Sequence, residues 1–243
     1  MSQDLQLYLD NIKKPWGILF YRVVFEQLPK FKGAKILDFG SGFGLTANHL
    51  AKNNDVIAIE PNAEMVTMRV TDHDYHQMIG DMTQLKQFPD ESFDLIICHN
   101  VLEYASDRQA IVQEFYRLLK SNGVLSIVKH NHAGRIMQKV VFENNVDEAL
   151  SLLSGGSIEV MNFGAVHYYE MSELLDWIKP RHLFIQKTLG VRTFWGLQQN
   201  NDIKADSIWQ DKMFEIEMKV CELEEYTNIS FFNHILLQKG LAK

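Results

Sequence analysis

A short apolar strand that runs straight into alternating glycines constrains this fold more than any other feature of the sequence. Lys35-Ile36-Leu37-Asp38-Phe39 reads as a compact strand, Gly40-Ser41-Gly42-Phe43-Gly44 follows at once, and Leu45 to Asn53 carries a helical pattern. Glycines at alternate positions let the backbone turn tightly and approach a ligand closely. The start of the helix behind them offers N–H groups with no partner inside the helix. A second strand, Asp55-Val56-Ile57-Ala58-Ile59-Glu60, ends in an acid 22 residues after Asp38. A carboxylate there can accept hydrogen bonds from both hydroxyls of a ribose. Together these segments predict a site for a nucleoside-containing cofactor.

The same rhythm continues for a hundred residues. Asn62 to Val70 reads as a second helix, Tyr75 to Ile79 as a short strand, and Phe93 to Cys98 as a strong one. Asp107 to Lys120 is a helix with Ile111, Phe115, Leu118 and Leu119 on one face, its start capped by Ser106 or Asp107. Gly123 to Lys129 is a further buried strand. Strands alternating with helices of this length mean βαβ units and a parallel sheet, an α/β fold. The alternation breaks after residue 130. Residues 131–170 show only a helical stretch from Ile136 to Leu153 and a Gly155-Gly156 turn, and are expected to form a lid over the carboxyl edge of the sheet. Strand pattern returns at Leu183 to Leu189. A long helix is expected over 206–226, its stripe formed by Trp209, Met213, Ile216, Val220 and Leu223, and Phe231 to Gln238 closes the chain as a strand. Residues 1–30 are expected to form a helical cap on a single domain, with a helix from Trp16 to Leu28.

Composition excludes several classes. With 243 residues, 46% hydrophobic and 23% charged, the chain is neither disordered nor a small disulfide scaffold. Its formal charge of −7, from 24 basic and 31 acidic side chains, does not advertise a broad nucleic-acid footprint. Cys98 and Cys221 are too few and too far apart for a zinc site and suit a reducing compartment. No apolar run approaches the roughly 18 residues of a membrane span. The first ten residues lack the basic and apolar regions of a signal peptide. A cytoplasmic globular protein with no membrane partner is expected.

The type of cofactor follows from charge. A dinucleotide fingerprint needs G-x-G-x-x-G, whereas here the glycines run G-x-G-x-G and Leu45 stands at the third position. Asp38 would repel a pyrophosphate but suits the cationic end of S-adenosyl-L-methionine. Gly80-Asp81-Met82 can add an acceptor for an adenine amino group and a packing surface for its ring. His99-Asn100-Val101-Leu102-Glu103-Tyr104 follows the next strand, in the switch region where open α/β sheets bind ligands.

These segments resemble the class I S-adenosylmethionine-dependent methyltransferases. The likeness covers roughly residues 33–130, about 40% of the chain, and includes a helix-to-strand turn in which Ser121-Asn122 stands where that family has Pro-Gly. It implies a Rossmann-like, seven-stranded, mostly parallel sheet with an antiparallel last strand, flanked by helices. It also implies Gly40, Ser41, Gly42, Glu60, Asp81, Met82 and His99 as cofactor contacts. A narrower likeness joins His99-Asn100-Val101-Leu102-Glu103-Tyr104, Asn131-His132-Ala133-Gly134 and Gly190-Val191-Arg192-Thr193-Phe194. Together they are similar to the tRNA 5-carboxymethoxyuridine methyltransferases, which methylate a carboxylate on a modified uridine. That group carries a lysine-rich stretch in the insertion. Here 131–170 holds Arg135 and Lys139 against Glu143, Asp147, Glu148, Glu159 and Glu170. The acceptor therefore stays open between a modified tRNA nucleoside and a small molecule. The alternative from another class is a cofactor-binding module without transferase activity.

Four further candidates complete the reading. His130 and His132, at the end of the fifth strand, serve either in catalysis or as polar lining of a pocket rim. Arg192 either holds an anionic acceptor group through its fork of donors or is a surface arginine in a salt bridge. Arg22, with Tyr21, either reaches the methionine carboxylate of the cofactor or belongs to an ordinary amphipathic helix. The seven acids between Asp206 and Glu225, set against two lysines, are expected to form a solvated helix face.

Overall fold

The computed structural model describes residues 3–156, 158–160 and 164–240. The part of the 131–170 insertion at 157 and 161–163 lies outside the described residues. The chain opens with helices α1 (Gln3–Ile12) and α2 (Pro15–Gln27). Then follow β1 (Lys35–Phe39), α3 (Leu45–Ala51), β2 (Asp55–Glu60), α4 (Ala63–Thr67), β3 (His76–Ile79), β4 (Phe93–His99), α5 (Arg108–Leu118) and β5 (Leu119–His130). The insertion contributes α6 (His132–Met137), α7 (Val146–Leu153) and a hairpin of β6 (Ile158–Val160) and β7 (Gly164–Val166). The last part holds α8 (Met171–Ile178), β8 (Leu183–Val191), α9 (Ser207–Val220), α10 (Glu224–Thr227) and β9 (Phe232–Lys239).

Seven strands form one sheet in the order β3-β2-β1-β4-β5-β9-β8, mostly parallel with its last strands antiparallel. The sheet and its flanking helices match the architecture expected from the sequence. Ile36, Leu37, Leu95, Ile96 and Ile97 are fully buried, the continuous apolar pattern of strands covered on both faces. β1 lies between β2 and β4, so the connections leaving β1 and β4 diverge and open a crevice at their carboxyl ends. Asp107 caps α5 by accepting from the Ala110 N–H at 3.0 Å. Near the start of β5, Asn122 takes φ 63°. Asparagine tolerates this left-handed region, which explains how it replaces a glycine there.

The chain packs as two compact units. One comprises Pro29–Val128, Tyr169–Lys187 and Ile235–Lys243, and the other Met1–Leu28, Lys129–Tyr168 and Thr188–His234. The first holds an apolar core in which Phe39, Phe93, Phe115, Ile96 and Leu237 meet. Tyr169 belongs to this core and packs on Trp177, so it is a packing residue. The second unit is built around aromatic contacts among Phe20, Phe231, Phe232 and His130.

Three local expectations are corrected. The second helix is only Ala63–Thr67, one short turn capped by Asn62. A helix at Met171–Ile178 stands where no element was expected, started by a capping box between Glu170 and Glu173. The long helix over 206–226 stops at Val220, and its stripe is rotated: Ile216 and Leu223 are 43% and 45% exposed. The residue buried on that helix beside Val220 is Glu217, at 0% exposure. The acidic face is therefore not wholly solvated, for a reason given by the turn Glu217 closes.

Candidate functional site

The glycine loop is held by backbone hydrogen bonds to the neighbouring strand. The N–H groups of Gly40 and Ser41 both donate to the Ile59 carbonyl, at 2.8 and 3.0 Å. The Gly42 N–H donates to Glu60 Oε2 at 2.8 Å, and the Asn62 N–H to Glu60 Oε1 at 2.9 Å. Gly40 has φ 76°, and a Cβ there would stand 2.3 Å from a methyl of Val101, so no other residue fits without displacement. The loop thus spends its N–H donors on protein acceptors and does not form an open phosphate cradle. This agrees with the charge argument against a pyrophosphate.

Two carboxylates govern the electrostatics of the loop. Asp38 is 3% exposed, and its Oδ2 has no hydrogen-bond partner among the described residues. Burial pushes its carboxyl up to about 7; an N–H bond from Ala47 opposes this and the Glu60 charge adds to it. Burial also raises Glu60, against the two N–H bonds it accepts. A carboxylate has about four acceptor positions, so Glu60 keeps capacity for two hydroxyls. A buried acid lacking a cation beside a second acid suits a ligand that brings positive charge and a ribose. S-adenosylmethionine carries a sulfonium, an ammonium and a ribose, so the residues fit it.

The remaining predicted contacts lie in the same unit. Asp81 caps the turn Met82–Gln87 by accepting from the Thr83 N–H and hydroxyl, which hold its exposed carboxyl below the usual range. Met82 packs partly buried on the core of this unit. His99 pairs through Nε2 with Ser126 Oγ at 2.8 Å. Asn100, which the sequence singled out only within a run, takes φ 54° at the end of β4. Its Oδ1 is buried and without a partner among the described residues.

The other candidates belong to the second unit. Arg22 Nη1 donates to Asp211 Oδ1 at 2.5 Å, and its guanidinium lies 3.9 Å from the Phe214 ring centre. A cofactor role for Arg22 would require breaking that pair. His132 starts α6, stacks on Tyr168 and places Nε2 3.2 Å from the Leu152 carbonyl. A carbonyl only accepts, so Nε2 carries the proton in this contact and cannot act as a base. The His130 ring is buried, and burial together with Arg135, Lys129 and Arg192 holds it far below the usual histidine range.

Arg192 is not a surface arginine. It is 7% exposed, directly after β8, with φ 60°. The rings of Phe231, Trp195 and Trp16 surround its guanidinium at 4.8, 4.9 and 5.3 Å. Its Nε is buried with no hydrogen-bond partner among the described residues. Burial brings its pKa down to about 9, against the supporting charge of Glu217 and with the repulsion of Arg135. Glu217 accepts from the N–H groups of Thr193, Phe194 and Trp195, at 2.7, 2.9 and 3.0 Å. Sequence reasoning placed Glu217 on a solvated face because nothing in its local pattern separates it from the acids around it. Among the described residues no three side chains group as metal ligands, and no helix is long and apolar enough to cross a membrane.

A methyltransferase-domain family matches residues 37–127. Over 233 residues the chain is 24% identical to the tRNA 5-carboxymethoxyuridine methyltransferase of Escherichia coli K12, spanning 91% of this chain and 85% of that protein. It is 28% identical over 193 residues to the ubiquinone biosynthesis O-methyltransferase of Actinobacillus pleuropneumoniae, spanning 72% and 78%. Among solved structures it is similar to one from the complex between the Haloferax volcanii Trm112 methyltransferase activator and a methyltransferase. That likeness has a TM-score of 0.62 and 15% identity over 99% of this chain and 97% of that one, and it concerns the fold alone.

Proposed function

We propose that this chain, which belongs to the class I S-adenosylmethionine-dependent methyltransferases, delivers its methyl group to a carboxylate on a small molecule or a modified tRNA nucleoside. The observation that carries the reading is Arg192: a buried guanidinium whose Nε has no partner among the described residues. Such a group asks for an anion, and a carboxylate matches its fork of donors in one plane. The A. pleuropneumoniae relative is an O-methyltransferase and the E. coli relative acts on 5-carboxymethoxyuridine of tRNA, which supports an oxygen acceptor on this reading.

The division of labour follows from the residues. The bound cofactor supplies a methyl group on a positively charged sulfur, ready for displacement. Glu60 would hold its ribose, Asp38 would face its cationic end, and Asp81 and Met82 would bound the adenine. Gly40, Ser41, Gly42 and His99 would shape the wall between them. Arg192 would hold the acceptor's carboxylate through its fork of donors, and the transfer itself is an in-line displacement that needs the two reactants aligned. A carboxylate is ionised at pH 7, so no general base is required. This suits a region where His130 stays neutral by burial and His132 turns a protonated Nε2 to a carbonyl.

The test uses methyl-labelled cofactor and cell extract separated into RNA and small molecules. Label should enter one fraction as a methyl ester, released as methanol by mild alkali. Alkali-stable label would refute a carboxylate acceptor. Binding to RNA should weaken steeply with salt, whereas binding to a small acid should not. Arg192→Ala should lower kcat/KM by roughly ten- to a hundredfold with cofactor affinity unchanged, since a charge-assisted pair contributes about 1.5–3 kcal/mol. Arg192→Lys should restore part of the loss.

A further inference from the structure

We infer that Glu217 is a positioning residue for the acceptor: it closes the turn that presents Arg192 and sustains the guanidinium's charge while leaving its hydrogen-bonding edge to the ligand. The inference rests on the proposed role of Arg192 and adds a second residue to it. Nothing in the sequence around Glu217 marks it for this task.

The geometry begins with the turn. Arg192 takes φ 60°, a left-handed conformation uncommon for a side chain with a Cβ. The residues after it bring three consecutive N–H groups, those of Thr193, Phe194 and Trp195, onto one carboxylate. Successive N–H groups converging in this way form an anion-binding concavity. In this protein the concavity is filled from within. Glu217 is fully buried, with Oε2 taking the Thr193 N–H and Oε1 taking those of Phe194 and Trp195. The backbone anion site is closed to an acceptor, and the turn is locked.

The consequence for Arg192 is specific. Glu217 is near enough to support its charge, yet no hydrogen bond joins the two among the described residues. A directly paired carboxylate would occupy the fork that an acceptor needs. The other titratable groups that face Arg192 are the cations Arg135 of α6 and Lys204 and the neutral His130 of β5, none of them anionic. Glu217 is thus the single carboxylate of this surround among the described residues. Removing its negative charge leaves the guanidinium against cations alone, which favours its neutral form.

The test uses benzoate as a carboxylate probe, benzamide as its neutral counterpart, and tryptophan fluorescence, because Trp16 and Trp195 lie against Arg192. Benzoate should bind the unmodified protein and benzamide should not. Its affinity should fall as pH rises through about 9, the value to which Arg192 is brought down. Glu217→Gln should weaken benzoate by about tenfold or more and move the alkaline fall to lower pH. S-adenosylmethionine affinity should stay within about twofold, a tolerance well under 1.4 kcal/mol. A merely structural loss would weaken benzoate equally at every pH. The double variant Arg192→Gln with Glu217→Gln should bind no worse than Arg192→Gln alone, because one residue acts through the other. Glu215→Gln, on the exposed side of α9, is the control and should change neither readout.

The outcomes separate the two readings. If Arg192→Gln binds benzoate as well as the unmodified protein, the carboxylate role of Arg192 fails. If Arg192→Gln loses benzoate while Glu217→Gln keeps both affinity and alkaline limb, only the Glu217 inference is overturned. Should Glu217→Gln not fold, Glu217→Asp keeps the charge on a shorter arm. It should weaken benzoate with the alkaline limb in place, and unchanged affinity in that variant would equally overturn the inference.

Discussion

Two turns in this chain are each closed by a buried glutamate that takes backbone N–H groups, and the turns prepare for opposite charges. Glu60 holds Gly42 and Asn62 beside Asp38, and what is left over is an acid whose Oδ2 has no partner among the described residues, pushed up to about 7. Glu217 holds Thr193, Phe194 and Trp195 beside Arg192, and what is left over is a guanidinium whose Nε has no hydrogen-bond partner among the described residues, brought down to about 9. Burial acts on both in the same sense, toward the neutral form. On the proposed reading, a cationic cofactor would restore charge at the first turn and an anionic acceptor would do so at the second. The comparison teaches that the unsatisfied partner of each turn, more than the turn itself, names the ligand.

Glu60→Ala should break the first half of the comparison most severely. It removes the acceptor for the Gly42 and Asn62 N–H groups and, on the proposed reading, for the ribose. With hydrogen bonds to charged groups contributing about 1.5–3 kcal/mol each, S-adenosylmethionine should bind roughly a hundredfold more weakly in calorimetric titration. Tight NADH binding with no S-adenosylmethionine binding would reverse the assignment of the loop.

A pH series on Asp38 sharpens it with a smaller effect. The ionised carboxylate is the form that attracts a cation, so cofactor affinity should improve as pH rises through about 7. Asp38→Asn should flatten this dependence and cost about tenfold at pH 8. The stability sign is opposite. The folded-state pKa is raised above its ordinary 3.8, so stability is fully present below that value and declines as pH rises through about 7. Asp38→Asn should therefore raise the melting temperature of the cofactor-free protein at pH 8 and leave it nearly unchanged at pH 4. A cofactor affinity that does not vary between pH 5.5 and 8.5 would remove Asp38 from the electrostatic account.

The smallest effect concerns Arg22, whose pair with Asp211 is exposed on both sides. Its loss in Arg22→Ala should change stability by less than about 1 kcal/mol. Cofactor affinity should be retained, since the guanidinium is already committed to Asp211 and Phe214. A loss of tenfold or more in that affinity would place Arg22 on the methionine carboxylate.

The first turn was legible because its requirements are written locally. Left-handed positions fell on glycines at 40, 42 and 44, the strands on either side were apolar runs, and the acid stood at a fixed distance along the chain. The second turn was legible only in part. Arg192 could be singled out as a cation after a strand, but an arginine at positive φ leaves no compositional mark. Glu217 lies 25 residues further on, among six other acids, and its burial depends on which backbone donors come to face it.

By itself the sequence determined the alternation of strands and helices, the sheet they build, the glycine loop with Asp38 and Glu60, and hence the cofactor. These follow from periodicity and backbone sterics, which act over a few residues. Tertiary structure alone decided that the stripe of α9 turns inward on a glutamate and that Arg192 is enclosed by Trp16, Trp195 and Phe231. The physical reason is range. Burying three N–H groups demands an acceptor, which Glu217 supplies from 25 residues beyond Arg192, and the guanidinium beside it is enclosed by Trp16 and Phe231, likewise remote in sequence.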